Sequence, residues 1–140
     1  SIMQVAQERG VWAIAYHSDL SSIGFTTQLL AVTHHWEKYD VSRVRSLLEG
    51  TWKSKDTWGG LRDGMVDISA LNEKVPSSVK KEVETVKKQM IQGKTVVFKG
   101  PLMTQDAKLI AKEGVVLSDD QVQQMNYLLD GVITPLPKVN

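Results

Sequence analysis

Cysteine is absent from this chain of 140 residues. Its absence excludes a disulfide framework, thiolate zinc sites and a cysteine nucleophile, and leaves the redox compartment open. Long apolar runs are absent too. The longest, Gly10 to Tyr16 and Leu29 to Thr33, fall far short of the roughly 20 residues that span a bilayer. Neither sign of charge dominates: 17 basic against 16 acidic residues leave a net charge of +1, which removes the electrostatic case for binding nucleic acid or a polybasic attachment to membranes. Proline is scarce, with four, and Pro135 and Pro137 mark the expected end of regular structure. No internal repeat or low-complexity tract occurs. The first nine residues lack the basic start and apolar core of a secretion signal and do not begin with methionine, so the start reads as cut or processed.

What is present suits a globule. With 41% apolar residues, 24% charged, a mean hydropathy of −0.21 and a mass of 15.6 kDa, the chain reads as a single domain over 1–140, or as a piece of something larger. Ile2, Val5 and Ala6 recur at helical spacing, and Gly10 stands where a helix would stop. Val11 to Tyr16 and Leu29 to Thr33 then read as strands buried on both faces, which implies a parallel sheet covered by helices. A helix from Asp40 would bury Val41, Val44, Leu47 and Leu48 and end at Gly50. Residues 51–64 are expected to be a structured loop or crossing.

Met65 to Ile68 alternates like a short strand, and Ser77 and Ser78 compete to cap a helix whose stripe is Val79, Val83, Val86 and Met90. Thr95 to Phe98 reads as a strand, Gly100-Pro101 as a turn, and Leu109 to Leu117 as a hairpin or loop containing Gly114. Ser118 to Gln121 forms a capping box for a last helix that would bury Val122, Met125, Leu128 and Leu129 before Gly131.

Candidate chemistry begins with His17, His34 and His35, at the ends of predicted strands where open α/β sheets place ligands. Histidines 34 and 35 are adjacent and would point to opposite faces, so they do not share one metal. His17 with Asp19 offers a base and its orienter, but no nucleophile motif accompanies them. Polar strand ends facing a cleft are the simpler reading. Trp12 reads as core, whereas Trp58 precedes Gly59 and Gly60, where missing side chains let a ligand or another backbone approach. The glycines do not match a phosphate loop.

A family resemblance is carried by Gln4-Val5-Ala6-Gln7-Glu8-Arg9-Gly10, Ser18-Asp19, Leu30-Ala31-Val32-Thr33 with Trp36, Gly50-Thr51-Trp52-Lys53-Ser54, and Trp58-Gly59-Gly60-Leu61. It continues through Gly64-Met65-Val66, Phe98-Lys99-Gly100-Pro101-Leu102, Gln105-Asp106, Met125-Asn126-Tyr127 and Asp130-Gly131-Val132. The chain resembles the basic membrane protein family, the substrate-binding lipoproteins of bacterial ABC importers, related to purine-nucleoside receptors. The resemblance implies an α/β chain that is part of a type I periplasmic-binding-protein fold: two Rossmann-like lobes joined by three crossings, each lobe a mostly parallel sheet with flanking helices. This sequence would then be the later part of the C-terminal lobe with the final crossings, its first lobe and lipidated N-terminus absent.

The same resemblance implies a non-enzymatic, extracytoplasmic receptor without cofactor or metal, binding a purine base or nucleoside and delivering it to a permease. It places Asp19, His17, His35, Trp58 and Gly59 at the ligand. Some nucleoside-binding relatives carry aspartate at the position of His17, so a free base or other flat heterocycle suits this chain at least as well. An incomplete lobe would expose a strand edge and an apolar face, which predicts association with the missing lobe or with a second copy. The alternative is a stand-alone reused lobe acting as an oligomerising or protein-interaction module. A sugar-responsive regulator is a weaker alternative, with no helix-turn-helix to support it.

Overall fold

The computed structural model describes residues 1–135, and Pro137, expected to lie beyond regular structure, is outside them. The chain divides into two compact units, residues 1–92 and residues from 93 onward. In the first, helix α1 (Ile2–Glu8) leads into strand β1 (Ala13–His17). A ten-residue crossover with a 3-10 turn at Ser21–Ile23 leads to β2 (Gln28–His34), followed by helix α2 (Trp36–Leu48). Strand β3 (Val66–Ile68) and helix α3 (Ser77–Ile91) complete the unit.

The sheet order is β1-β2-β3. The β1–β2 pair is parallel, with Tyr16 level with Val32 and His17 with Thr33, and β3 joins β2 antiparallel, with His34 level with Val66. The architecture is therefore the expected mixed α/β layer. Gly10 ends α1 as expected: at φ 63° it donates to the Gln7 carbonyl while Val11 donates to that of Ala6, and Gly50 repeats the motif after α2.

The core is small and made of small residues. Met3, Ala15 and Ala31 are buried together, with Ala13, Leu20 and Phe25 packed around them. Alanines on the facing side of β1 and β2 let α1 sit close on the sheet. The opposite face of β1 carries Ile14 and Tyr16, 58% and 66% exposed, so β1 is covered on one face and not on two. Trp12, expected in the core, is half-exposed under the Lys74 ammonium, 5.6 Å from its ring centre.

Helix α2 departs further from expectation. It starts at Trp36 and not at Asp40, with His35 at the N-cap and Glu37 favourably placed in the first turn. Its stripe of Val41, Val44, Leu47 and Leu48 faces outward. Helix α3 begins at Ser77 with Pro76 as N-cap, so neither serine caps it; the Pro76 carbonyl takes the Lys80 N–H instead. Its stripe lines a groove of about 410 Å³ with Leu61 and Ile68.

In the second unit, β4 (Leu102–Met103) pairs antiparallel with β5 (Leu109–Ala111), and helix α4 spans Asp119–Gln123. The capping box is present: Ser118 Oγ accepts from the Gln121 N–H and Gln121 Oε1 from the Ser118 N–H. The helix does not reach Gly131. Instead Leu129 bridges Thr104, and the Asp130 N–H donates to the Met103 carbonyl, so strand-like pairing takes the residues that periodicity had assigned to the helix. Thr95 to Phe98 is not a strand either; pairing begins at Lys99, opposite Val116. No helix among the described residues is long and apolar enough to cross a membrane.

Candidate functional site

The C-terminal ends of β1 and β2 carry a ladder of rings. Tyr16 and His17 have centroids 3.9 Å apart, His17 and His34 4.7 Å, and His34 stacks on Trp36 at 5.8 Å with planes within 7°. Tyr39 meets Trp36 edge-on at 6.2 Å, and the Arg43 guanidinium lies 5.3 Å from the Tyr39 ring centre. Helical spacing explains the outer part: Trp36, Tyr39 and Arg43 stand three and four residues apart in the first two turns of α2.

The inner part needs a break in alternation. In register, His17 is level with Thr33, so an ordinary extended His17 would face away from Tyr16 and His34. At φ 73° the strand's last residue leaves the extended region, and its imidazole swings to the Tyr16 face. There His17 Nδ1 lies 3.1 Å from His34 Nδ1.

His35 turns away from the ladder. Its Nδ1 is 3.5 Å from Glu37 Oε1, and its backbone N–H donates to the Met65 carbonyl at 2.9 Å. Through Met65 the Trp58 segment reaches the same end of the sheet. A Cβ at Gly59 would stand 2.5 Å from Met65 Sδ, so glycine there permits close packing on this chain's own methionine. Trp58 itself is 59% exposed. The Gly60 N–H bonds Asp63, and Arg62 Nε donates to the Ile91 carbonyl at 3.3 Å, pinning the loop to the end of α3.

Asp19 does not pair with His17. Its Oδ1 accepts from Ser21 Oγ at 2.6 Å, Gln28 Nε2 at 2.7 Å and the Ser21 N–H at 2.9 Å. The Ser21 bonds, then that from Gln28, hold its carboxyl below the ordinary range. Asp67, level with Thr33 on β3, is raised by burial, but Lys87, whose Nζ is 2.5 Å away, and the Ile68 N–H together outweigh this and hold its carboxyl below the ordinary range. Among the described residues no three His, Asp or Glu converge as a metal-binding group.

Sequence reasoning missed Tyr16, Trp36, Tyr39 and Arg43 as site residues. The available signal was the clustering of rings at the ends of both apolar runs, masked on the α2 side because Asp40 resembles an N-cap although it lies inside the helix.

The ring-lined strand ends of this α/β layer lie where open α/β sheets place ligands. The chain belongs to the Bmp family, described as PnrA-like ABC transporter substrate-binding proteins, whose model matches residues 1–99. This is a family of binding proteins and not of enzymes. A purine-binding protein of Brucella abortus is 34% identical over 136 residues, covering 97% of this chain and 39% of the relative, so the likeness continues through the second unit. A Haloferax volcanii protein, assigned as a glucose-binding protein of an ABC transporter, is 25% identical over 96% of this chain and 32% of its own length. The chain thus spans about a third to two fifths of these relatives. In fold it is similar to a crystal structure of a transcriptional activator of the comK gene from Bacillus halodurans, with a TM-score of 0.59 at 22% identity, covering 67% of this chain and 33% of that one.

Proposed function

We propose that this chain supplies one wall of the ligand cleft of an ABC-importer receptor and that a purine base or nucleoside lies against the ring ladder. The ladder at the ends of two parallel strands is the observation that carries the reading: Tyr16 and Trp36 are 66% and 53% exposed, and half-exposed rings that already stack on neighbours are preorganised for a flat heterocycle. The purine-binding relative supports the same ligand class. His17, Trp58 and Gly59 line the cleft with His34 and Trp36. Asp19 and His35 act on it through the backbone they hold, Asp19 by closing the crossover and His35 by the bond to Met65.

Residues 1–92 are the later part of the C-terminal lobe, and those from 93 onward its final crossings. Closure of a first lobe over the ladder would trap the solute and present the closed form to a permease, so binding energy becomes a shift in lobe population. The working protein would be extracytoplasmic and held to the membrane as a lipoprotein. A second reading, a reused lobe that associates through its apolar surface, is favoured by the uncovered face of β1 and α2 and by the outer edge of β1, which no described strand pairs.

Titration of adenine, adenosine, guanosine, inosine and glucose, followed by calorimetry and tryptophan fluorescence, tests the ligand. Purines are expected to quench saturably and glucose not to, with affinity weaker than micromolar because one wall alone is present. Saturation by glucose without purine binding would overturn the reading. Light scattering on the eluting protein tests the second: a stable monomer at high concentration removes it.

A further inference from the structure

We propose that His17 and His34 chelate a divalent transition-metal ion of the copper(II), nickel or zinc type. The proposal does not rest on the purine reading. Their Nδ1 atoms are 3.1 Å apart and their ring centroids 4.7 Å, with the ring planes 34° apart. Two nitrogens each about 2.1 Å from one ion, the usual metal–imidazole length, stand about 3.0 Å apart when they meet it at a right angle, so the observed spacing suits two neighbouring ligands of one ion.

A second observation is independent of those distances. His17 reaches His34 only because it takes φ 73°, a left-handed conformation uncommon outside glycine and concentrated at ligand-holding sites. Strand alternation alone would separate the two imidazoles, so the fold brings them together against its own pleat.

Among the described residues no further His, Asp or Glu completes the set, so water or a bound donor fills the remaining positions. Two imidazoles select borderline ions over magnesium or calcium, which require oxygen ligands. Zinc also accepts imidazole nitrogen, but nitrogen donors favour copper(II) most.

Calorimetric titration of the chlorides of copper(II), nickel, zinc and magnesium into the protein, with variants His17→Gln, His34→Gln and His35→Gln, tests the site. The expected order is copper(II) above nickel and zinc with no magnesium binding, and each of the first two variants weakens copper(II) about tenfold or more while His35→Gln changes it less than about twofold. Electron paramagnetic resonance of the wild-type copper complex is expected to show two equivalent-type imidazole nitrogens, a readout that needs no variant to fold. No saturable binding, equal loss in His35→Gln, or a spectrum with fewer than two imidazole nitrogens would overturn the site.

Discussion

The two ends of the β1–β2 pair are built from opposite chemistries. At the N-terminal end Gln28, 3% exposed, accepts the Leu20 N–H and donates to Asp19, while Asn72 donates to the carbonyls of Thr26 and Gln28 and Gln7 accepts the Thr26 N–H. At the C-terminal end stand rings, half-exposed, among which His17 and His34 make the polar contact that joins the two strands. The buried Gln28 amide, joined by the half-buried Asn72 and the exposed Gln7, exchanges these bonds and fixes strand register at one end. That fixed register is what allows the other end to hold its rings in place while leaving them open to a ligand.

The largest expected effect strikes what joins the two ends. Ala31 is fully buried against Met3 and Ala15, so Ala31→Leu must displace α1 from the sheet; a loss of about 3 kcal/mol in urea unfolding is expected. An unchanged midpoint would mean that α1 does not clamp the strands. Next, Gln28→Leu leaves the Leu20 N–H and Asp19 without their partner and should cost about 2 kcal/mol. Loss of ring-end order in the same variant, read as altered Trp36 fluorescence, would show that the polar end sets the alignment.

Trp36→Ala should behave in the reverse manner. Stability is expected to stay within about 0.5 kcal/mol because the ring is half-exposed, while purine affinity falls about tenfold. Equal losses of stability and affinity would erase the distinction between the ends. The smallest effect is acid sensitivity. Asp19 and Asp67 both have carboxyls held below their ordinary values, so the stability they add is present above the unfolded carboxylate range, near about pH 4, and is lost as the pH falls through their lowered folded values. Asp19→Asn and Asp67→Asn should each flatten that acid limb. The Lys87 pair is partly exposed and is worth under about 1 kcal/mol.

Much of the local structure was legible in the chain. Gly10 and Gly50 stop their helices because only their backbone adopts the closing turn cheaply, and Ser118 with Gln121 caps α4, each a matter of a few neighbouring residues. The errors came from assuming a buried partner for every apolar stripe. Val41, Val44, Leu47 and Leu48 have helical spacing and Ile14 and Tyr16 have strand spacing, yet both sets face outward because periodicity says which residues share a face and not what covers it. The helix expected up to Gly131 gave way at Gln124 for a related reason: residues 128–130 bond to Thr104, Gln105 and Met103, partners some twenty-five positions away.

The candidate site divides along the same line. That histidines gather at strand ends was visible, as was family membership, since ordered motifs survive in a linear string. The sequence alone determined the α/β class, the helix stops and caps, and the binding-protein family, all of which depend on short-range pattern. Tertiary structure decided that Asp19 braces the crossover, that His35 turns from the ladder, and that His17 meets His34. Those outcomes rest on one backbone angle at the end of β1 and on bonds between residues far apart in the chain, which no local pattern encodes.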